Sequence, residues 1–283
     1  MSTRYAVLGS PIAHSLSPVL HRAAFAASGR AATYDAIDVG EGALHEVLPR
    51  LAREGYAGLN LTAPLKRAGL FLAAEATPRA GRAGAANTLR RDGDRWIADN
   101  TDGAGFVNFL ARAAVAAAGA RVTVLGGGGA TAGLVPALLD AGAGTIAIVT
   151  RQVGHDGAGD PRVEVLAASA EVASPAAQAL RTSTLVIQAT PLGLAAGDPL
   201  PCPPDWVGPR AVAIDLLYHP PVTPWLAALR ARGVKAANGL GLLVEQALLA
   251  QEFWFGQAPP RHALEEAVAW GDPFSPPGGL PAG

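Results

Sequence analysis

The chain is nearly free of lysine. Its 22 basic residues are 20 Arg and only two Lys, Lys66 and Lys235. Asparagine is as scarce: there are five, and Asn60, Asn87 and Asn100 fall in one short span around Lys66. A sequence that fills cationic positions with Arg keeps Lys where guanidinium cannot substitute, because only an ammonium gives up and recovers a proton in proteins. Lys66 is thus a candidate proton-transfer residue, while Lys235, in Gly233-Val234-Lys235, reads as a surface side chain. The single cysteine, Cys202 in Pro-Cys-Pro-Pro, excludes an internal disulfide and a thiolate metal site, and fits a reducing compartment.

No run of 18 apolar residues is present, which argues against a membrane-spanning helix. The apolar run after Arg4 is too short for a signal-peptide core and reads as a strand, so the cytoplasm is the expected location. A net charge of -1 and a pI near 6.6 leave no basic stripe for nucleic acid and no acidic tail for a charged partner. What is present in quantity is apolar material: 50% of 283 residues, enough for one large or two ordinary domains.

Residues 4–9 read as a strand that ends in the turn-rich Gly9-Ser10-Pro11-Ile12-Ala13-His14-Ser15-Leu16-Ser17-Pro18. Ser17 is placed to N-cap the next helix, with Pro18 at its first position. A strand over 34–39, a helix over 42–54 and a strand over 58–62 follow. Lys66 then lies just past a strand's C-terminal end, the edge at which α/β sheets hold ligands. Residues 86–91 and 95–99 read as a hairpin about Asp92-Gly93-Asp94. After Asp99-Asn100-Thr101-Asp102-Gly103 a helix is expected over 104–118. A second α/β series follows: strand 121–125, helix 130–141, and strands 145–150, 184–189 and 211–216. Helices over 223–232, 240–255 and 260–270 close the chain, and the Pro/Gly-rich 271–283 reads as a loose tail.

Strand 121–125 leads straight into Gly126-Gly127-Gly128-Gly129-Ala130. Strand, glycine turn and helix stand in the order a pyrophosphate cradle needs: glycines admit the phosphates to the backbone, and the helix offers free N–H groups. The Gly-x-Gly-x-x-Gly spacing is imperfect, with Thr131 where the third glycine would stand. The next strand ends Ile148-Val149-Thr150-Arg151 and carries no acid for a ribose 2′-OH. Thr150 and Arg151 suit a 2′-phosphate, which favours NADP(H) over NAD.

These motifs together resemble the shikimate dehydrogenase family, from about Tyr5 to about Trp270. The resemblance is carried by Gly9–Pro18, by Asn60-Leu61-Thr62-Ala63-Pro64-Leu65-Lys66, by Gly84-Ala85-Ala86-Asn87-Thr88 and by Asp99–Gly103. It continues through the glycine turn, Ala189-Thr190-Pro191-Leu192-Gly193, Asp215-Leu216-Leu217-Tyr218 and Asn238-Gly239-Leu240-Gly241-Leu242-Leu243-Val244-Glu245-Gln246. It implies an α/β protein of two α/β domains separated by a cleft. Residues 1–101 plus 238–270 would form the substrate domain, and 102–237 a Rossmann-like dinucleotide-binding domain, with hinges near Asp102 and Asn238.

The resemblance further implies reversible reduction of 3-dehydroshikimate to shikimate with NADPH, by a monomer or homodimer with no metal, nucleic-acid or membrane partner. Lys66 and Asp102 would be the catalytic pair. Ser15 and Ser17 would meet the substrate carboxylate, Asn60, Thr62, Asn87 and Gln246 the ring hydroxyls, and Tyr218 and Gly239 would line the site. The cofactor would lie on Gly126 to Ala130, Thr150, Arg151, Thr190, Leu216 and Gly239. The family's Asn-Arg-Thr reads Thr150-Arg151-Gln152 here, and Gln188 replaces the usual Asn before Ala189-Thr190.

Reducing a carbonyl requires a proton at the oxygen, within hydrogen-bond reach of its donor. For Lys66 two effects compete: a neighbouring carboxylate favours the ammonium, burial the amine. Asp102 follows Thr101 at a helix start, where capping is its other role. His14 reads as structural. A quinate/shikimate dehydrogenase using NAD(P) is the near alternative and calls for an acid near position 151. A non-catalytic dinucleotide-binding regulator would keep the glycine turn but has no need of Lys66 with Asp102.

Overall fold

The computed structural model describes residues 2–151 and 159–274. Two six-stranded sheets take successive stretches of the chain. The first holds β1 (Thr3–Gly9), β2 (Ala32–Asp38), β3 (Tyr56–Leu61), β4 (Glu75–Ala76), β5 (Thr88–Asp92) and β6 (Arg95–Asp99), in the order β2-β1-β3-β5-β6-β4. β1 is parallel to β2 and β3, whereas β5 is antiparallel to β3 and β6. Helices α1 (Ser17–Ala27), α2 (Leu44–Arg53), α3 (Lys66–Leu72) and α4 (Pro78–Ala83) connect these strands. Alternation along β1 feeds two cores. Ala6 and Leu8 pack with Leu44, Leu48 and Leu51 of α2, and Tyr5 and Val7 with Phe25 of α1.

Helix α5 (Asp102–Arg112) leads to the second sheet: β7 (Arg121–Leu125), β8 (Thr145–Thr150), β9 (Val163–Ala167), β10 (Leu185–Gln188), β11 (Val212–Asp215) and β12 (Lys235–Ala237). Its order is β12-β11-β10-β7-β8-β9, with every pair parallel. This is the doubly wound dinucleotide-binding order, and the strand order reverses between β7 and β10, where such sheets open a crevice. Helices α6 (Gly129–Asp140), α7 (Pro175–Thr182) and α8 (Pro224–Ala231) cover its faces. Phe106 and Phe109 of α5 pack with Leu134 and Leu138 of α6 on one face, and Leu180, Trp225 and Leu229 pack on the other.

α9 (Leu240–Phe255) ties the two sheets together. Leu242 joins the second sheet's core, and Val244 and Leu248 pack with α1 and with Leu264 of α10 (Arg261–Ala267). Ala250 and Trp254 reach Tyr5 and Tyr34 of the first sheet. A helix enclosed along its length has no need of a polar face, which explains its apolar sequence. Gly58 makes this seating possible, since a Cβ there would stand 2.6 Å from Trp254 Nε1.

Three local expectations need correction. Ser17 does not cap α1; Leu16 holds the cap position, and the Ser15 hydroxyl accepts from Ser17 N (3.3 Å). The helix expected over 104–118 stops at Arg112. There Ala114 takes a left-handed φ of 52°, and Val115 N and Ala114 N donate back to Leu110 O and Ala111 O. This two-bond closure ends a helix despite the Ala-rich sequence beyond it. Finally, α3, β4, α4, β9 and α7 were not foreseen. Among the described residues no helix is long and apolar enough to cross a membrane. Gln152 and, of the expected tail, residues 275–283 lie outside the described residues.

Candidate active site

Lys66 opens α3 directly after the turn that leaves β3, and Asp102 opens α5 directly after β6. Both strands belong to the first sheet, so the two residues emerge at one sheet edge. Lys66 Nζ donates to Asp102 Oδ2 at 2.6 Å, with the side chains 15% and 10% exposed. The Lys66 stem lies along the glycine turn: a Cβ on Gly129 would stand 3.4 Å from Lys66 Cδ. The pair therefore sits where the first sheet meets the N-terminus of α6.

Asp102 does not use its carboxylate to cap α5. Its Oδ1 accepts from Asn87 Nδ2 (2.7 Å), and its own N–H donates to Asn100 Oδ1 (3.1 Å). Asn87 also donates to Thr101 Oγ1 (2.9 Å), and its oxygen accepts from Thr101 N (2.8 Å) and from the Thr88 hydroxyl (3.0 Å). Every donor on the Asn87 amide is thereby taken. Asn87, expected at the ring hydroxyls, lies beside Asp102 and Thr101. Asn60 donates to Asn87 O (3.2 Å) and Thr88 Oγ1 (3.1 Å), and accepts from the Tyr34 hydroxyl (2.6 Å). Tyr34 is fully buried and stacks on His21, ring centroids 4.4 Å apart.

The serine loop closes on the same region. A side-chain hydrogen bond joins Ser17 to Tyr34, and another joins Ser15 to Tyr218, whose hydroxyl burial pushes up in pKa. Tyr218 follows β11, so this contact links the loop after β1 to the second sheet. His14 and His219 stack beside it, centroids 5.5 Å apart. Thr62 is half-buried, and its methyl fills the space a Cβ on Gly9 would need (2.3 Å). Gln246 donates to Leu243 O (2.8 Å) and packs on α5, where Gly105 leaves room for its backbone.

The glycine turn fits a dinucleotide. Gly126 has a φ of +110°, and a Cβ there would press to 3.0 Å on Thr190 Cγ2 across the β7–β10 crevice. Gly127 and Gly128 are exposed, and no side chain caps the start of α6. Its first N–H groups and positive end are thus open to an anion. Thr131, the break in the glycine pattern, is buried and donates to Gly126 O (2.7 Å), which stiffens the turn. Thr150 and the exposed Arg151 end β8 next to Gly127, whose Cβ would stand 3.2 Å from Thr150 Oγ1.

Gln188 fills its unusual place completely. It donates to Thr190 O (3.0 Å) and Leu192 O (2.9 Å), and accepts from Thr190 N (2.7 Å) and Thr190 Oγ1 (2.8 Å). Leu216 is half-buried after β11; Gly239 is buried against it, with Leu216 O 2.1 Å from where a Cβ would be. Gly239 is a glycine because the Leu216 backbone occupies that space. Asp215 shapes this loop by accepting from Leu217 N (3.1 Å) and Thr223 Oγ1 (2.7 Å), and burial raises its carboxyl to about 6. A cavity of about 330 Å³ lies elsewhere, behind α5 and α6, lined by Arg79, Asn100 and Asp140 among others. It does not reach Lys66.

Comparison with known proteins agrees with this arrangement. A family model described as the shikimate dehydrogenase substrate binding domain matches residues 7–89, and one described as the shikimate 5'-dehydrogenase C-terminal domain matches residues 239–269. The NADP(+) shikimate dehydrogenase of Alkalilimnicola ehrlichii is 37% identical over 262 residues, covering 92% of this chain and 96% of that one. The chain belongs to the shikimate dehydrogenase family.

A second family member, from Xanthomonas euvesicatoria, is 39% identical over 274 residues, 94% of this chain and 95% of its own. The shikimate 5-dehydrogenase of Thermus thermophilus, solved in complex with NADP(H) and shikimate, superimposes with a TM-score of 0.82 at 32% identity. That match covers 94% of this chain and 98% of that one. The first family model spans β1 to β5 with Lys66, and the second takes in α9 and α10. The shikimate dehydrogenase motifs read in the sequence thus fall at one place. Tyr34, Thr88 and Thr101 were not singled out; the adjacency of Thr88 to Asn87 and of Thr101 to Asp102 was the available signal.

Proposed function

We propose that this chain is an NADP-dependent shikimate dehydrogenase, reducing 3-dehydroshikimate reversibly to shikimate. The observation that carries the reading is the Lys66–Asp102 contact of 2.6 Å, set against Gly129 of the turn that opens the crevice of the second sheet. Bound NADPH supplies the hydride to the carbonyl carbon. The chain's own task is the proton: Lys66 Nζ delivers it to the carbonyl oxygen and, in reverse, removes it from the hydroxyl. Asp102 Oδ2 orients Lys66.

Ser15 and Ser17 meet the substrate carboxylate, and Asn60, Thr62, Asn87 and Gln246 meet ring hydroxyls, with Tyr218 at the rim. Asn60 spends both amide protons on protein oxygens, so it offers a substrate an acceptor. The turn Gly126 to Ala130, with Thr190, Leu216 and Gly239, holds the dinucleotide, and Thr150 with Arg151 holds its 2′-phosphate. Residues 1–101 with 238–270 form the substrate lobe, 102–237 the cofactor lobe, and the enzyme acts in the cytoplasm as a monomer or homodimer on small molecules alone. Quinate with NAD is the neighbouring reading, but it calls for an acid where Arg151 stands. Absorbance at 340 nm with shikimate or quinate, each with NADP⁺ or NAD⁺, separates the two. Shikimate with NADP⁺ is the expected productive pair, and turnover confined to quinate with NAD⁺ would overturn the assignment.

A further inference from the structure

We propose that two buried side chains, Thr131 and Gln188, lock the two lips of the dinucleotide crevice and so shape the cofactor cradle before NADP(H) arrives. Neither meets the ligand, so both are positioning residues. They are also the two places where the chain departs from the motif around them. Thr131 breaks the glycine spacing, and Gln188 stands where asparagine is usual. The proposal rests on the reading of this crevice as the NADP(H) site.

The first lip is the turn Gly126 to Gly129. Gly126 holds a φ of +110°, which glycine alone adopts without strain. Its carbonyl lies ahead of α6, whose ladder starts two residues later with Ala132 N on Gly128 O (3.1 Å). Thr131 reaches back from the first turn of α6 and donates to Gly126 O at 2.7 Å. At 4% exposure its one hydroxyl proton is committed to that carbonyl. A glycine here would leave the turn without that tie.

The second lip is the loop after β10. Gln188 ends the strand at 0% exposure and turns its whole amide on the loop. Its nitrogen donates to Thr190 O and Leu192 O, and its oxygen accepts from Thr190 N and Thr190 Oγ1. One amide orientation satisfies all four bonds; the flipped one sets oxygen against two carbonyls. Beyond Leu192, Asp198 Oδ2 accepts from Gly193 N (2.9 Å) and Ala195 N (3.0 Å), so both ends of the loop are tied. The lips also touch, since a Cβ on Gly126 would stand 3.0 Å from both Ala189 O and Thr190 Cγ2. A turn that shifts therefore presses on the loop. A cradle already in its binding shape loses none of the binding free energy to ordering.

The test is dinucleotide binding by titration calorimetry without shikimate. Thr131→Val keeps the shape and removes the hydroxyl, with Thr131→Ser as rescue. The Kd of NADP⁺ should rise about fivefold in Thr131→Val and return to within about twofold in Thr131→Ser. Gln188→Met, of similar length, removes four bonds and should raise it about tenfold or more. The turn serves the pyrophosphate common to both dinucleotides, so Thr131→Val should weaken NADP⁺ and NAD⁺ by the same factor. Shikimate Kd should stay within about twofold, and kcat at saturating NADP⁺ within about threefold. An unchanged NADP⁺ Kd in either variant would overturn the proposal, even with a lowered Tm. Equal losses of shikimate and NADP⁺ binding would overturn it as well, since they mark a general structural role. A parent that binds NAD⁺ alone contradicts the function proposed above and leaves the locks standing, provided Thr131→Val weakens NAD⁺.

Discussion

Position 151 carries an arginine at the strand end where an NAD site carries an acid. An exposed guanidinium there gives two charge-assisted donors to a phosphate and nothing to a bare ribose hydroxyl. Arg151→Ala should therefore raise KM for NADPH about tenfold or more while leaving KM for NADH within about twofold. Equal effects on both would remove Arg151 from the 2′-phosphate. Single residues were the most legible part of the site. Lys66 stood out by scarcity, whereas its pairing with Asp102 was implied only by the family resemblance; the two follow β3 and β6, parallel strands flanking β5 in one sheet. The neighbours of the Asn87 amide were not legible, because which way an amide points depends on a donor and an acceptor 14 and 15 residues away. Gln188 looked like a departure and proves to be a four-bond clasp of the loop after β10.

Helix α5 carries Asp102 at its first turn and crosses α6 at glycines. A Cβ on Gly103 would stand 2.2 Å from Gly133 O, and one on Gly133 would stand 2.9 Å from Asn100 Oδ1. Backbone atoms cannot step aside as a flexible side chain can, so Gly103→Ala must push α5 and α6 apart. The expected result is a loss of about 1–3 kcal/mol of stability by chemical denaturation, with kcat reduced because Asp102 moves. An unchanged midpoint and rate would contradict the close crossing. The strand sequence and the strand-turn-helix after β7 were readable from apolar runs and punctuation. The end of α5 was not, since its Ala-rich continuation favours helix and only the left-handed Ala114 stops it. Half-exposed β9 and the short α7 escaped notice because their apolar periods are brief.

Over the whole molecule two buried groups pull stability in opposite directions with pH. Burial lowers His21 from 6.5 to about 3, so below pH 6.5 the unfolded chain takes up a proton that the folded chain refuses. That contribution falls as pH drops from about 6.5 toward 3. Burial raises Asp215 from 3.8 to about 6, so between those values the folded chain holds the extra proton and stability rises as pH drops. The two slopes oppose one another between about pH 4 and 6. Asp215→Asn removes the second, and its Tm should fall more steeply from pH 6 to 4 than that of the parent; parallel Tm profiles would refute the balance. At the largest scale the two-sheet plan was legible from the motifs, whereas the return of α9 through both cores needed the coordinates. The proposed reaction depends on Lys66 and Asp102 moving a proton beside the glycine turn. The direct measurement is kcat and shikimate Kd for Lys66→Ala: turnover should vanish with Kd within about tenfold, since a proton-transfer group acts mainly on the barrier. An unchanged kcat with binding lost would contradict the account.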